Sequence, residues 1–395
     1  MKPKQQRISF GDLSREPFRL FFPGAVLAGL WGVALWPLHF GGMVDFYPGS
    51  SHARLMAHGF FGGFIFGFLA TALPRMLSAR PLRLGEMAAL FALYAVMVSA
   101  HGFGLTMVGD SAFLILLVAF AATMSLRWFT RGDLPPPGFV LALLAFACAL
   151  AGVVLFLLET RLEDSTFWIG LRPLLLYQGF VLLPVLGVGP FILPRFFGQS
   201  SQHSFPESVV PPAGWWKRAA TAALVGTLII ASFIVEAVDW PRTGHALRLI
   251  TILVYLRQEI SLFRLKSHGQ PLATPLNAAF FLLLGGILAI TLFPGYRAAL
   301  LHLTFVGGLA IVTLTVATRV VFGHSGNRVR LAQRHRWLTT AIILMLVGMA
   351  TRISGDFWPK ILVSHYNYGA LFWASGLLLW SVNVLPKILS PDPEQ

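Results

Sequence analysis

Long apolar runs, each closed by a cluster of polar or charged residues, divide the chain almost from end to end. They lie near residues 19–40, 55–75, 86–108, 112–130, 138–158, 167–193, 215–235, 243–263, 276–294, 298–321, 337–354 and 361–385. Each is close to the roughly 20 residues that a helix needs to cross the hydrocarbon core of a bilayer. None shows the ten-residue alternation of a membrane β-barrel. In lipid the backbone must satisfy its own hydrogen bonds, so continuous runs of this length predict helices. The pattern predicts an all-α polytopic membrane protein of about twelve transmembrane helices. Residues 1–395 form a single membrane domain on this reading, with a basic N-terminal segment over 1–18 and a tail over 386–395.

Composition sharpens this picture. Of 395 residues, 56% are hydrophobic and 12% charged, which leaves almost no room for a soluble domain. Lysine and arginine placement sets the orientation. With the N-terminus in the cytoplasm, 22 of the 30 Lys and Arg residues fall inside, among them Arg15, Arg19, Arg75, Arg80, Arg83, Arg328, Arg330, Arg334 and Arg336, and 8 fall outside. Both termini are therefore expected in the cytoplasm. Contact with anionic headgroups of the lipid bilayer accounts for the net charge of +14, and no nucleic-acid partner is needed. The first apolar run is too long for a signal-peptide core and is expected to stay attached.

Topology sorts the eleven histidines. His39, His52, His58, His101, His245, His302 and His365 fall near the outer face or in the outer half of a span, while His203, His268, His324 and His335 fall in or beside cytoplasmic loops. Helices two, ten and twelve run inward, so His52, His58, His302 and His365 open their spans at similar depth. His39, His101 and His245 read as helix-end imidazoles bonded to a carbonyl or to the headgroup region. His302 heads an apolar helix, where a polar side chain is a functional candidate. Gly307 and Gly308 below it would admit either a flat macrocycle or a neighbouring helix. Positions 52 and 58 differ by about 240° around a regular helix, so they cannot both face one ion.

Arg54, Arg297 and Arg352 on the outer side, and Arg319 on the inner, are candidates to hold a carboxylate bidentately; headgroup snorkelling and inner-face anchoring are the bland alternatives. The inner ends of helices two, six and ten carry Arg75, Arg195 and Arg319, spaced by 120 and 124 residues, which suggests three four-helix units. Cys148 is the single cysteine, so no intrachain disulfide or thiolate cluster can form.

The segment "HLTFVGGLAIVTLTVATRVVFGHSG" resembles the signature helix of the NnrS family, which begins with histidine and ends R-x-x-x-G-H-T-G. Arg319, Gly323, His324 and Gly326 match it, with Ser325 in place of threonine and Asn327 in place of the arginine that follows. "FRLFFPGAVLAGLWG" is similar to the family's opening. "SHARLMAHGFFGGFIFGFLATALP" looks like its second helix, although the family's H-A-H-E reads here His52-Ala53-Arg54-Leu55.

The resemblance implies a bacterial inner-membrane protein that binds haem b and copper and takes part in the nitric oxide response, nitrosative stress relief or denitrification. It also implies a distant likeness to the catalytic subunit of haem-copper oxidases. It leaves open whether nitric oxide is bound or turned over, with an unknown electron donor. Carried onto this sequence, His52 and His302 are the expected haem-iron ligands, with His58 as the alternative on helix two. His58 with His365 is the expected copper pair, and Arg54, Arg297 and Arg352 are the propionate partners. His324 lies about 33 Å along its helix from His302 and reads as structural or gating. Two other classes stay open: a transporter of a small solute, suggested by the Pro- and Gly-broken "LLPVLGVGPFILPRFF", and a non-catalytic structural or assembly protein that has lost the metal site.

Overall fold

The structure is a computed structural model that describes residues 10–159, 162, 165–199, 208–260 and 270–391. His203, His268, the first nine residues, the end of the eighth apolar run and the last four residues lie outside this set. Among the described residues every regular element is helical. Eleven helices are long and apolar enough to cross a membrane. They are α1 (Phe18–Phe40), α2 (Gly49–Met76), α3 (Leu84–Gly102), α4 (Thr106–Phe129), α5 (Phe139–Leu157), α6 (Thr166–Phe197), α7 (Trp215–Ala237), α9 (Ala273–Leu292), α10 (Pro294–Gly323), α11 (Arg336–Phe357) and α12 (Pro359–Leu389). Between α7 and α9 lies α8 (Pro241–Tyr255), shorter and more polar, which continues through a wider turn over Leu256–Ile260.

The positions of the chain ends require α8 to cross as well. Arg19, at the head of α1, donates to the carbonyl oxygens of Ile388 and, at 2.9 Å, of Ser390, so both termini share one face. The start of α7 is on that face too. Its Trp215 indole donates to Pro135 O at 3.1 Å, and the neighbouring Asp133 amide reaches Leu77 O at the end of α2. At the other end of α7, Glu236 meets Arg297 at the head of α10, 3.0 Å away. Because α9 leads from the terminal face to α10, α8 must carry the chain back between them. Among the described residues α8 thus joins the eleven longer spans as a twelfth helix of the bundle, close to the number that the hydrophobic pattern predicts.

Three helices form the centre. In α2, α6 and α10, 78%, 83% and 67% of the most apolar stretch is buried, against 33–61% in the other eight long spans. These same three share a construction. Each enters with a short α-helical stretch and then widens into π-helical turns over Leu55–Phe61, Leu174–Gly179 and Leu303–Ala310, before resuming the α form. A π turn rotates the residues before it relative to those after it and is a frequent mark of a functional site. The same three helices carry Arg75, Arg195 and Arg319 toward their far ends. α6 stays α-helical through Pro184 and Pro190 and tightens to a 3-10 helix over Leu193–Phe197, the end of the segment on which the transporter reading rests.

Between the central helices the packing is aromatic. Phe66 on α2 contacts Phe113 of α4, Phe146 of α5 and Phe180 of α6, with ring centroids 5.9–6.3 Å apart. Such tilted and edge-on pairs add a modest gain beyond apolar burial, in a setting where lipid supplies no hydrophobic drive between helices.

Candidate functional site

Three polar groupings occupy the half of the bundle away from the termini. The first borders a cavity of about 270 Å³ between α1, α2, α10, α11 and α12. Its wall is mostly apolar and aromatic, including Val33, Trp36, Met56, Phe305, Met349 and Trp373, with His52, His302, Arg352 and Tyr366 as the polar members. α11 and α12 can bound it closely because Gly348 and Gly369 face one another. A methyl group on Gly348 would stand 2.8 Å from Gly369 O.

Both cavity histidines are fixed through the same ring atom. His52 Nδ1 is 2.9 Å from Gly32 O on α1. His302 Nδ1 is 3.0 Å from Ala298 O and 3.2 Å from Ala299 O, one turn back in its own helix. A carbonyl can only accept, so Nδ1 carries the proton in each ring, and Nε2 is left as the lone-pair atom. A second-shell bond of this kind is what orients a metal-binding imidazole. Trp36 packs beside His52, with ring centroids 6.1 Å apart, and edge-on to Tyr366 at 5.0 Å. Arg352 lies over the Tyr366 ring at 3.5 Å and pairs with Asp356 at 2.8 Å; the Tyr366 hydroxyl donates to the same carboxylate at 2.6 Å.

The second grouping lies across α2 from the cavity. His58 sits in the π turn of α2, stacked on Phe113 with ring centroids 4.0 Å apart, and 5.6 Å from the ring of His101 on α3. Asp110 of α4 completes it, its Oδ1 3.7 Å from His101 Nε2. All three side chains are buried, and each offers one ligand atom such that the three lie within 4.8 Å of one another. Arg54 belongs here, gripping Asp110 with Nε at 2.8 Å and Nη2 at 2.7 Å.

A third grouping joins α6, α7, α8 and α10. The buried Arg248 donates to Glu236 at 2.6 Å, Gln178 at 2.8 Å and Ser232 at 3.1 Å. Arg297 pairs with the other oxygen of the same Glu236. His245 Nδ1 is 3.4 Å from this carboxylate.

Residues singled out from the sequence thus separate. His52, His302 and Arg352 share the cavity, whereas Arg54 and Arg297 are each engaged by a carboxylate elsewhere. His58 and His365 are not brought together. His365 is bonded through Nδ1 to Ile361 O at 3.1 Å, at the head of α12, and its ring neighbour is Tyr368. The choice left open for Gly307 and Gly308 falls to helix packing: added methyl groups would stand 3.1 Å from Leu282 and 2.8 Å from Leu283 on α9. His39 bonds Val44 O at 3.2 Å, as a helix-end imidazole should. His101 does not; among the described residues neither of its nitrogens has a hydrogen-bond partner. Sequence reading passed over Asp110, Glu236, Gln178 and Tyr366, whose signal was only a polar residue within or next to an apolar span.

The G-H-S-G motif lies at the terminal face. His324 Nδ1 donates to Glu16 Oε1 at 2.6 Å, and the His324 carbonyl accepts from Arg19 at 2.8 Å. Arg19 and Arg75 also pair with Glu16, at 2.5 and 2.8 Å. Burial pushes the Glu16 carboxyl up, but the hydrogen bond from His324 and the charge of Arg19 outweigh it and hold the pKa at about 2, below the ordinary 4.5. Gly326 has φ +66°, the left-handed region that glycine adopts without strain. Arg319 lies over Phe196 at 4.8 Å and borders, with Arg75 and Arg195, a second cavity of about 800 Å³.

A family model described as NnrS protein matches residues 12–391 of the chain. No curated protein matches it.

Proposed function

The chain belongs to the NnrS family, and on that footing we propose that it binds a b-type haem in the outer-side cavity and acts in the nitric oxide response. The observation that carries this reading is the matched pair of imidazoles. His52 and His302, from different helices, border one cavity with Nδ1 tied to backbone carbonyls and Nε2 left unbonded. Two neutral imidazoles with free Nε2 atoms are a donor set that a b-type haem iron accepts, and the apolar aromatic wall suits a macrocycle. The donor set therefore fits the group.

His52 and His302 would hold the iron, and Arg352, which also pairs with Asp356, is the guanidinium bordering the cavity that would face a propionate. When bound, haem would supply a redox-active iron centre with affinity for a diatomic gas. The protein's own contribution is to fix both rings, exclude water with Trp36, Phe305 and Trp373, and keep a guanidinium at the wall. A multi-pass position in the bacterial inner membrane with both termini in the cytoplasm would put this cavity nearer the outside, where a gas dissolved in the bilayer can arrive. Turnover would need an external electron donor.

Protein purified after haem-replete expression should show a reduced-minus-oxidised spectrum of a low-spin b-type haem, with about one pyridine haemochrome equivalent per chain. Haem-free protein of full solubility and helicity under those conditions would sink the reading.

A further inference from the structure

We propose that His58, His101 and Asp110 form a buried binding site for one divalent first-row transition-metal ion, separate from the cavity of His52 and His302. The site does not depend on the haem reading. Its ligands come from three consecutive helices, α2, α3 and α4, so the bundle itself sets their spacing. Each offers one ligand atom within 4.8 Å of the other two. Around an ion bound at about 2.0–2.2 Å, ligand atoms stand roughly 3–4 Å apart, so side-chain rotation of about 1 Å closes the shell.

The second observation concerns the imidazoles. His58 and His101 are fully buried, and among the described residues none of their four ring nitrogens has a hydrogen-bond partner. A buried polar atom without a partner costs about 1–3 kcal/mol, so two such rings side by side call for an occupant. Packing holds the rings where they are: Phe113 stacks on His58, and Gly109 lacks the side chain that would collide with His101.

Asp110 is positioned as a metal-binding carboxylate usually is, by an outer partner. Arg54 takes both oxygens, yet a carboxylate has about four acceptor sites, so Oδ1, which faces His101, keeps capacity for an ion. Charge is balanced locally. Arg54 and Arg172 lie against the same Phe156 ring, at 4.4 and 4.7 Å, and Glu159 pairs with Arg172 at 2.5 Å. Two cations face two carboxylates, so a divalent ion brings two further positive charges, one of which a solvent-derived hydroxide completing the shell would offset. Two imidazoles and one carboxylate are a donor set for zinc, copper or iron; a magnesium or calcium site would need more oxygen ligands.

Copper(II) serves as the probe because it binds nitrogen sites tightly and is paramagnetic. Full-length protein, purified through a tag without histidine and stripped by a chelator, is loaded with copper(II) and desalted. We expect one retained equivalent whose pulsed electron paramagnetic resonance spectrum shows two imidazole nitrogens, and its displacement by zinc(II). His58→Ala and His101→Ala should each weaken retention at least tenfold, His365→Ala should not, and haem content should be unchanged in all three. A wild-type spectrum with one imidazole or none would overturn the proposal without recourse to any variant. So would retention unchanged in a folded His58→Ala/His101→Ala protein, or loss of the ion in His52→Ala, which would locate it in the cavity.

Discussion

His52 and His302 are held on different helices, each by an Nδ1 bond to a backbone carbonyl, and meet at the wall of one cavity. If they are the two axial ligands, His302→Ala should lose haem or convert the spectrum from low-spin to high-spin, and His52→Ala should do the same. His58→Ala should leave the spectrum intact. The reading fails if His302→Ala keeps an unaltered bis-imidazole spectrum at full occupancy.

At the terminal face, beyond the inner end of α10, His324 pairs with Glu16. His324→Ala is expected to retain haem near the wild-type level while lowering thermal stability, since removing one partner of a buried pair costs about 3–5 kcal/mol at the upper end. Absorbance per chain and a melting curve in the same detergent separate the two effects. Loss of most haem from a folded variant would move the site toward the motif.

The depressed pKa of Glu16 gives stability a pH signature. Its folded value of about 2 lies below the ordinary 4.5, so the folded state holds fewer protons on this group than the unfolded state between those values. The stabilisation is complete above pH 4.5 and is lost as pH falls through that window toward 2. Melting temperature should decline over this range more steeply in the wild type than in Glu16→Gln, which starts lower. Parallel pH profiles would show that Glu16 contributes nothing.

The sequence was most informative where lipid imposes the rule. Apolar length predicted the helices, because a backbone in hydrocarbon has few alternatives, and His302 stood out because imidazole is rare at such a position. α8 was legible too, although Arg242 and Arg248 make its first half polar. What could not be read was partnership. Arg54 looks like a free cation in the sequence, and its engagement by Asp110, 56 residues later, depends on how α2 packs on α4. His101 has the same difficulty, since the π turn that directs His58 leaves no distinctive local pattern.

The same limit applies to Gly308. In sequence it could serve a macrocycle or a helix; in the fold it lies against Leu283, and a methyl group there would stand 2.8 Å from Leu283 Cβ and 2.9 Å from its Cα. Gly308→Val should therefore destabilise by about 1–3 kcal/mol, the usual cost of overpacking. Gly285→Ala is the comparison, since nothing lies within 4 Å of the added methyl and alanine favours the helix by about 0.8–1.0 kcal/mol. Melting curves that rank Gly308→Val at or above Gly285→Ala would contradict the close α9–α10 contact.

Orientation offers the last test. Arg19 bonded to Ser390 requires an even number of crossings, which α8 supplies, and the excess of Lys and Arg on the terminal face predicts that this face is cytoplasmic. A reporter fused after Ser50, at the head of α2, should be active only outside, and one fused at Gln395 only inside. Opposite results at both positions would invert the protein and turn the cavity of His52 and His302 toward the cytoplasm. Opposite compartments from those expected at Gln395 alone would remove the α8 crossing, and with it the common face on which Glu16, Arg19 and His324 meet.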